Sequence, residues 1–275
     1  MNHSQSPRSD RRPPQNSNRK KTPPGQTFGT YSPRPKSSQK SFGHEAPPTK
    51  ERLGVLLTRH GVQVPNNVLD KLWIYHQLLR KNNGDQDLTR LIGFETIAQR
   101  HYADCLILHG MMKRKWPSPL VDIGTGAGFP GLMIKLISPE TEIILSEPRP
   151  RRVEFLEMVI RELGLKGISV FGHKFTSRSF NTPVRGAITR AFESVALTLP
   201  RLGNSLQTGG IAIFMKGPGV DEELEERLPK DYKLIRDERY RIPSTTLDRA
   251  LVIFERLPSE PKSEQKTEQK IAETL

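Results

Sequence analysis

Twelve residues constrain the fold of this chain more than any others: Leu120-Val121-Asp122-Ile123-Gly124-Thr125-Gly126-Ala127-Gly128-Phe129-Pro130-Gly131. An apolar run ends in closely spaced glycines, and an apolar helical pattern follows (Leu132, Met133, Ile134, Leu136, Ile137). That order is a strand, a tight turn and a helix, the opening of an α/β nucleotide-binding unit. Glycine is needed where a side chain would block approach of backbone to ligand, and where the turn visits positive φ. Pro130 suits the first turn of a helix, where its missing N–H costs nothing.

Two ligand classes fit the turn. Gly126-x-Gly128-x-x-Gly131 satisfies the dinucleotide fingerprint, which seats a pyrophosphate at a helix N-terminus. Asp122-x-Gly124-x-Gly126-x-Gly128 resembles the S-adenosylmethionine loop of class I methyltransferases, in which the strand-end acid lies near the amino-acid part of the ligand. Glu147 ends the next apolar run, Ile143-Ile144-Leu145-Ser146, about 20 residues after the glycines, the spacing at which an acid meets a ribose. Both ligands carry an adenosine ribose, so Glu147 does not choose between them.

The chain has 275 residues, room for one or two domains. Its single cysteine, Cys105, excludes a disulfide framework and Cys-rich zinc sites and fits a reducing cytoplasm. No metal site is expected. No apolar run approaches the roughly 18 residues of a membrane span. The formal net charge of +13 favours a polyanionic partner, most often nucleic acid.

Composition divides the chain into four parts: a basic tail (1–50), a small helical subdomain (51–116), a ligand-binding domain (117–257) and a second tail (258–275). The first tail carries ten bases against two acids, so +8 of the +13 lies there. Its remaining residues are largely Ser, Pro, Gln, Asn, Thr and Gly, which bury too little apolar surface to offset the entropy of ordering. It reads equally as an RNA-grasping arm or a solvating extension. The C-terminal tail is polar, of mixed charge, and expected to be disordered.

From Glu51 the pattern is helical. Leu53, Leu56 and Leu57 form one apolar face ended by Gly61, and Val68, Leu72, Tyr75 and Leu79 form a second from Pro65. Lys81-Asn82-Asn83-Gly84-Asp85 reads as the stop of that helix. Further helix is expected over 94–100 and 102–113. Trp73 and Tyr75 read as core rather than ligand contacts. Lys113-Arg114-Lys115-Trp116-Pro117 is a basic hinge, either a phosphate contact or a charged helix end.

Beyond Glu147, Val153, Leu156, Ile160 and Leu163 mark a helix stopped by Gly164. Strands are expected over 168–171, over 185–189 leading into Arg190, and over 211–216, the last entered by a turn at Gly209-Gly210. A short acidic helix (221–227) and a closing strand pair (232–242, 249–256) complete a doubly wound sheet with helices on both faces. Ligands bind such sheets beyond the carboxyl ends of the strands. Asp122, Gly124, Glu147, Arg190 and Lys216 all fall at such ends.

The expected strand ends exclude several chemistries. No Asn/Asp-Pro-Pro-Tyr/Phe stands where amino-methylating adenine enzymes hold their base. Cys105 precedes the glycine loop, so no nucleophile is placed as pyrimidine C5 methylation requires. No Tyr-x-x-x-Lys pair of one reductase type follows the turn. Arg190 and Lys216 instead suit an electron-rich, anionic substrate.

Taken together, these stretches resemble the RsmG (GidB, glucose-inhibited division protein B) methyltransferases, which methylate a guanine N7 in small-subunit (16S) ribosomal RNA. The likeness runs from about Leu53 to Leu257. It is carried by Asp87-Leu88-Thr89, Arg100-His101-Tyr102-Ala103-Asp104, the glycine loop with Phe129-Pro130-Gly131, Thr189-Arg190-Ala191-Phe192 and Lys216-Gly217. It implies a class I methyltransferase (Rossmann-like) α/β fold, a mostly parallel seven-stranded sheet with a small N-terminal helical subdomain. It implies S-adenosyl-L-methionine as cofactor and small-subunit ribosomal RNA or the small subunit as partner, in a cytoplasmic monomer. Gly124 and Phe129 would contact the cofactor, together with Asp122, Gly126, Gly128 and Glu147. Arg190 would lie between cofactor and substrate, and Lys216 would face RNA or the target base. The family's Val-Glu beside the adenine falls on Phe175-Thr176, which leaves the Thr176 amide to serve there.

Guanine N7 has a free lone pair at neutral pH, so attack on a sulfonium methyl needs alignment and exclusion of water but no general base. Arg190 or Lys216 could donate to guanine O6, and a base inside a helix would first have to be exposed. His101 reads as a hydrogen bond between the helical cap and the sheet domain, while Asp104 stays open. Two other readings use the same features: a nicotinamide (NAD)-dependent oxidoreductase on the same glycine turn, and a non-catalytic RNA-binding or ribosome assembly factor.

Overall fold

The computed structural model describes residues 46–258; of the two expected tails, residues 1–45 and 259–275 lie outside them. Seven strands form one sheet in the order β3-β2-β1-β4-β5-β7-β6. They are β1 (Leu120–Ile123), β2 (Ile143–Ser146), β3 (Ile168–Phe171), β4 (Val184–Arg190), β5 (Leu206–Lys216), β6 (Tyr232–Arg241) and β7 (Asp248–Arg256). β1 to β5 pair in parallel, and β7 joins β5 and β6 antiparallel. The strand order reverses between β1 and β4, which opens the crevice where doubly wound sheets bind ligand.

Alternate residues feed two hydrophobic cores, as the two-residue period of a strand requires. Leu120, Ile188, Ile213 and Met215 point to one side, and Val121, Ala187, Ala212 and Phe214 to the other. The first core also takes the apolar faces of α1 (Lys50–Arg59), α2 (Asn66–Gln86), α5 (Gly131–Ile137) and α6 (Pro150–Glu162). The N-terminal helices therefore share their core with the sheet. The second core lies under α7 (Val195–Leu202) and α8 (Val220–Glu225).

Three local expectations are corrected. The Lys81–Asp85 run does not end α2, which continues to Gln86 and stops where Asp87 turns left-handed at φ 46°. Helix C-termini leave carbonyls without partners; here Arg151 donates to Asp85 O and Arg152 to Asp87 O. Gly209-Gly210 is not a turn before β5 but lies inside it. The register with β4 jumps from Val184↔Leu206 to Gly186↔Ile211, and Gly209 sits at φ 75°. The two helices expected after Phe94 are one run. It comprises α3 (Phe94–Ile97), a π-helical segment (Ala98–Ala103) and α4 (Asp104–Met111).

Candidate active site

The glycine loop leaves β1 and reverses through three residues at positive φ: Gly124 (70°), Gly126 (61°) and Gly128 (107°). Asp122 holds the loop. It is completely buried, and its Oδ2 accepts from Thr125 Oγ1 at 2.5 Å and Gly131 N at 2.7 Å. A Cβ on Gly131 would lie 2.8 Å from that oxygen, so glycine is required for the carboxylate to approach the backbone. Burial pushes the Asp122 carboxyl up to about 6, against the two hydrogen bonds, which favour its charged form. Its Oδ1 is buried with no partner. Such an oxygen is costly unless a donor meets it, and it fits a ligand that brings one, such as an ammonium. Tyr75, on α2, secures the loop from behind by donating from its hydroxyl to Ala127 O at 2.7 Å.

Glu147 sits beside the loop, one residue past β2. Its Oε2 accepts from Gly126 N at 3.1 Å and its Oε1 from Arg149 N at 3.0 Å. Arg152 Nη1 lies 3.8 Å from Oε2 and is the nearest group to a Cβ placed on Gly126, at 3.7 Å. This face of the loop is thus bordered by the Arg152 guanidinium and the Glu147 carboxylate.

Arg190, the last residue of β4, is held from several sides. Nη1 donates to Arg100 O at 2.9 Å and Asp104 Oδ2 at 3.3 Å, and Nη2 donates to His101 Nδ1 at 3.0 Å. The guanidinium also lies 5.2 Å from the ring centre of Phe129. His101 must accept at Nδ1, so its Nε2 carries the hydrogen and donates to Thr89 Oγ1 at 2.8 Å. Burial, and then the Arg190 cation, push the imidazole down to about 3, so it stays neutral in this role. Asn83 pins Thr89 by accepting from its N–H and donating to its carbonyl. Asp104 completes the cluster with a 2.9 Å contact to Arg249 Nε.

A cleft of about 450 Å³ opens at the ends of β4 and β5, lined in part by Arg190, Phe192, Glu193, Lys216, Glu223 and Arg249. The Lys216 ammonium donates to Glu193 O at 2.7 Å and pairs with Glu223 Oε2 at 2.8 Å. Phe192 follows Ala191, a non-glycine residue at φ 50°, and its ring lies over Gly124.

The structure thus brings Asp122, Gly124, Gly126, Gly128, Glu147, Arg190 and Lys216 to neighbouring strand ends. The side chains differ in what they offer. Phe129 is buried under His101, with ring centres 4.4 Å apart, so toward a ligand it can present backbone only. Phe175 is turned into the second core against Phe180. The Thr176 amide already donates to Ser179 Oγ at 2.8 Å. Sequence reasoning gave Thr125, Arg152, Arg249 and Phe192 no role in the site, while Tyr75, read as core, is core and braces the loop from there. Two of the four had a local signal: Thr125 lies within the glycine loop, and Phe192 stands two residues past the end of β4.

The family described as GidB, rRNA small subunit methyltransferase G, matches residues 68–252. The ribosomal RNA small subunit methyltransferase G 2 of Syntrophobacter fumaroxidans is 43% identical over 218 residues, 78% of this chain but only 43% of that protein. The protein of the same name from Bdellovibrio bacteriovorus is 37% identical over 227 residues, 81% of this chain and 86% of that one. The ribosomal RNA small subunit methyltransferase G of Carboxydothermus hydrogenoformans is 30% identical over 223 residues, 77% of this chain and 93% of that one. The match thus spans under half the length of the first of these proteins and most of the other two. It covers the glycine loop, the Arg190 cluster and the Lys216 cleft together, and the chain belongs to the rRNA small subunit methyltransferase G (GidB) family.

Proposed function

We propose that the protein transfers a methyl group from S-adenosyl-L-methionine to N7 of a guanine in small-subunit ribosomal RNA. The observation that carries this reading is adjacency. A glycine loop backed by an orphan carboxylate oxygen adjoins a cleft lined by three cations and three carboxylates, and Phe192 joins the two by lying over Gly124 and lining the cleft.

S-adenosylmethionine would supply an electrophilic sulfonium methyl. The chain's part is to bind and align. The Asp122 Oδ1 would accept from the ligand's ammonium, the Gly124–Gly128 backbone would give close approach, and Glu147 would accept from ribose hydroxyls. With the Thr176 amide engaged and Phe175 in the core, adenine contacts at those residues require Ser179 to let go of the amide. Guanine N7 needs no general base, and the site's carboxylates suit that chemistry. Asp104, Glu147 and Glu223 are each held by cations or backbone N–H groups rather than poised as bases. Arg190 orients the cap against the loop, and Lys216 stands on the substrate side.

The reading includes residues 51–116 as a helical subdomain beside a methyltransferase domain over 117–257, a cytoplasmic monomer, and the basic N-terminal segment as an aid to RNA binding. The test is methyl transfer from radiolabelled S-adenosylmethionine to undermethylated small ribosomal subunits. Label at one guanine, released by the alkali lability that N7 methylation confers, is the expected outcome. Binding of S-adenosylhomocysteine without transfer to any RNA would leave a non-catalytic RNA-binding factor. Stabilisation by NAD in place of S-adenosylhomocysteine would restore the oxidoreductase.

A further inference from the structure

Phe192 has no role so far beyond its position. It is an exposed large apolar side chain, 38% accessible, at a cleft lined by the charged groups of Asp104, Arg190, Glu193, Lys216, Glu223 and Arg249. Ordinary packing does not explain why it is there, because neither hydrophobic core includes it. The backbone is bent to present it. Arg190 is clamped by Arg100, His101 and Asp104, and Ala191 then takes a left-handed φ that β-carbon-bearing residues avoid. The loop makes room for it, since a Cβ on Gly124 would come within 2.6 Å of the Phe192 ring. One edge of the ring thus rests on the first glycine of the ligand loop, and the ring also forms part of the cleft wall.

We propose that Phe192 is the stacking platform for the target base, a positioning residue that holds the flat face of a purine at the boundary between loop and cleft. This rests on the methyl-transfer reading above and adds how the base is held. A base taken out of its helix loses its stacking neighbours. An aromatic face restores that contact with any base, while edge contacts supply identity. Lys216 and Arg249, on the same cleft, carry the donors such edge contacts need.

The test compares Phe192→Ala, Phe192→Leu and Phe192→Tyr in the full-length protein. Methyl transfer to undermethylated small subunits is measured beside S-adenosylhomocysteine affinity. Stacking predicts that F192A and F192L lose tenfold or more in kcat/KM for RNA, with cofactor affinity within threefold of wild type. F192Y should retain activity within threefold, because its ring is kept. If F192L matches wild type, the side chain only fills space and the proposal is overturned. If cofactor affinity falls as far as kcat/KM, Phe192 belongs to the cofactor site and the proposal is likewise overturned. Failure of wild type to transfer label would instead remove the methyl-transfer reading, and this proposal with it.

Discussion

At the scale of single residues, the site rests on groups that support rather than react. Asp122 satisfies two donors from a position with no access to solvent. Asp122→Ala strands both, at about 1–3 kcal/mol each. We expect a loss of about 2–6 kcal/mol in urea unfolding, together with loss of thermal stabilisation by S-adenosylhomocysteine. Unchanged stability would mean that the glycine loop is held from elsewhere. Lys216 differs because it faces the cleft. Lys216→Ala should reduce methyl transfer far more than S-adenosylhomocysteine affinity, and equal loss of both would remove it from the substrate side.

At the scale of elements, the central joint is between β4 and the π-helical segment. Arg190 carries it from β4, with the carbonyl of Arg100 and the His101 ring opposite and Asp104 at the start of α4. Asp104 is nearly inaccessible to solvent and is shared with Arg249. Removing one partner of a buried ion pair costs roughly 3–5 kcal/mol, because the remaining charge is left desolvated. The second arginine holds part of that penalty back, so Arg190→Ala should destabilise by about 3 kcal/mol in urea. It should also reduce S-adenosylhomocysteine affinity, since Phe129 and the loop lose the cation and the docked histidine. Full stability with selective loss of transfer would make Arg190 a substrate contact instead.

At the scale of the whole molecule, the buried histidines and Asp122 set an acid response. Burial pushes His76 down to about 4 and His101 down to about 3, both below the ordinary 6.5, so the native state refuses protons that the unfolded chain accepts. Their stabilisation is complete above pH 6.5 and is lost as pH falls. Asp122 works in the opposite direction: raised from 3.8 to about 6, it takes a proton in the native state first. For these three groups the unfolded state gains two protons just below pH 6.5, and Asp122 then offsets one of them. The net is a loss of about 1.4 kcal/mol per pH unit between 6 and 4. Urea midpoints between pH 7.5 and 4.5 would show it, and stability rising on acidification would contradict the assignment.

The order of strands, the glycine loop and the strand-end positions of Asp122, Glu147, Arg190 and Lys216 were legible in the sequence because each depends on local periodicity or spacing. Alternation, helical repeat and glycine placement act over a few residues and leave a written pattern. What each side chain does there was decided by tertiary structure. Phe129 stands in a ligand-binding loop, yet it is buried because His101, Tyr75 and Tyr102 surround it. Arg190 and Lys216 look like free cations in the sequence, but Asp104, His101, Glu193 and Glu223 engage them. Carbonyls at the end of α2 accept from Arg151 and Arg152, more than sixty residues away in the chain. Hydrogen bonds and ion pairs of that reach depend on which elements meet, and no sequence window contains both partners.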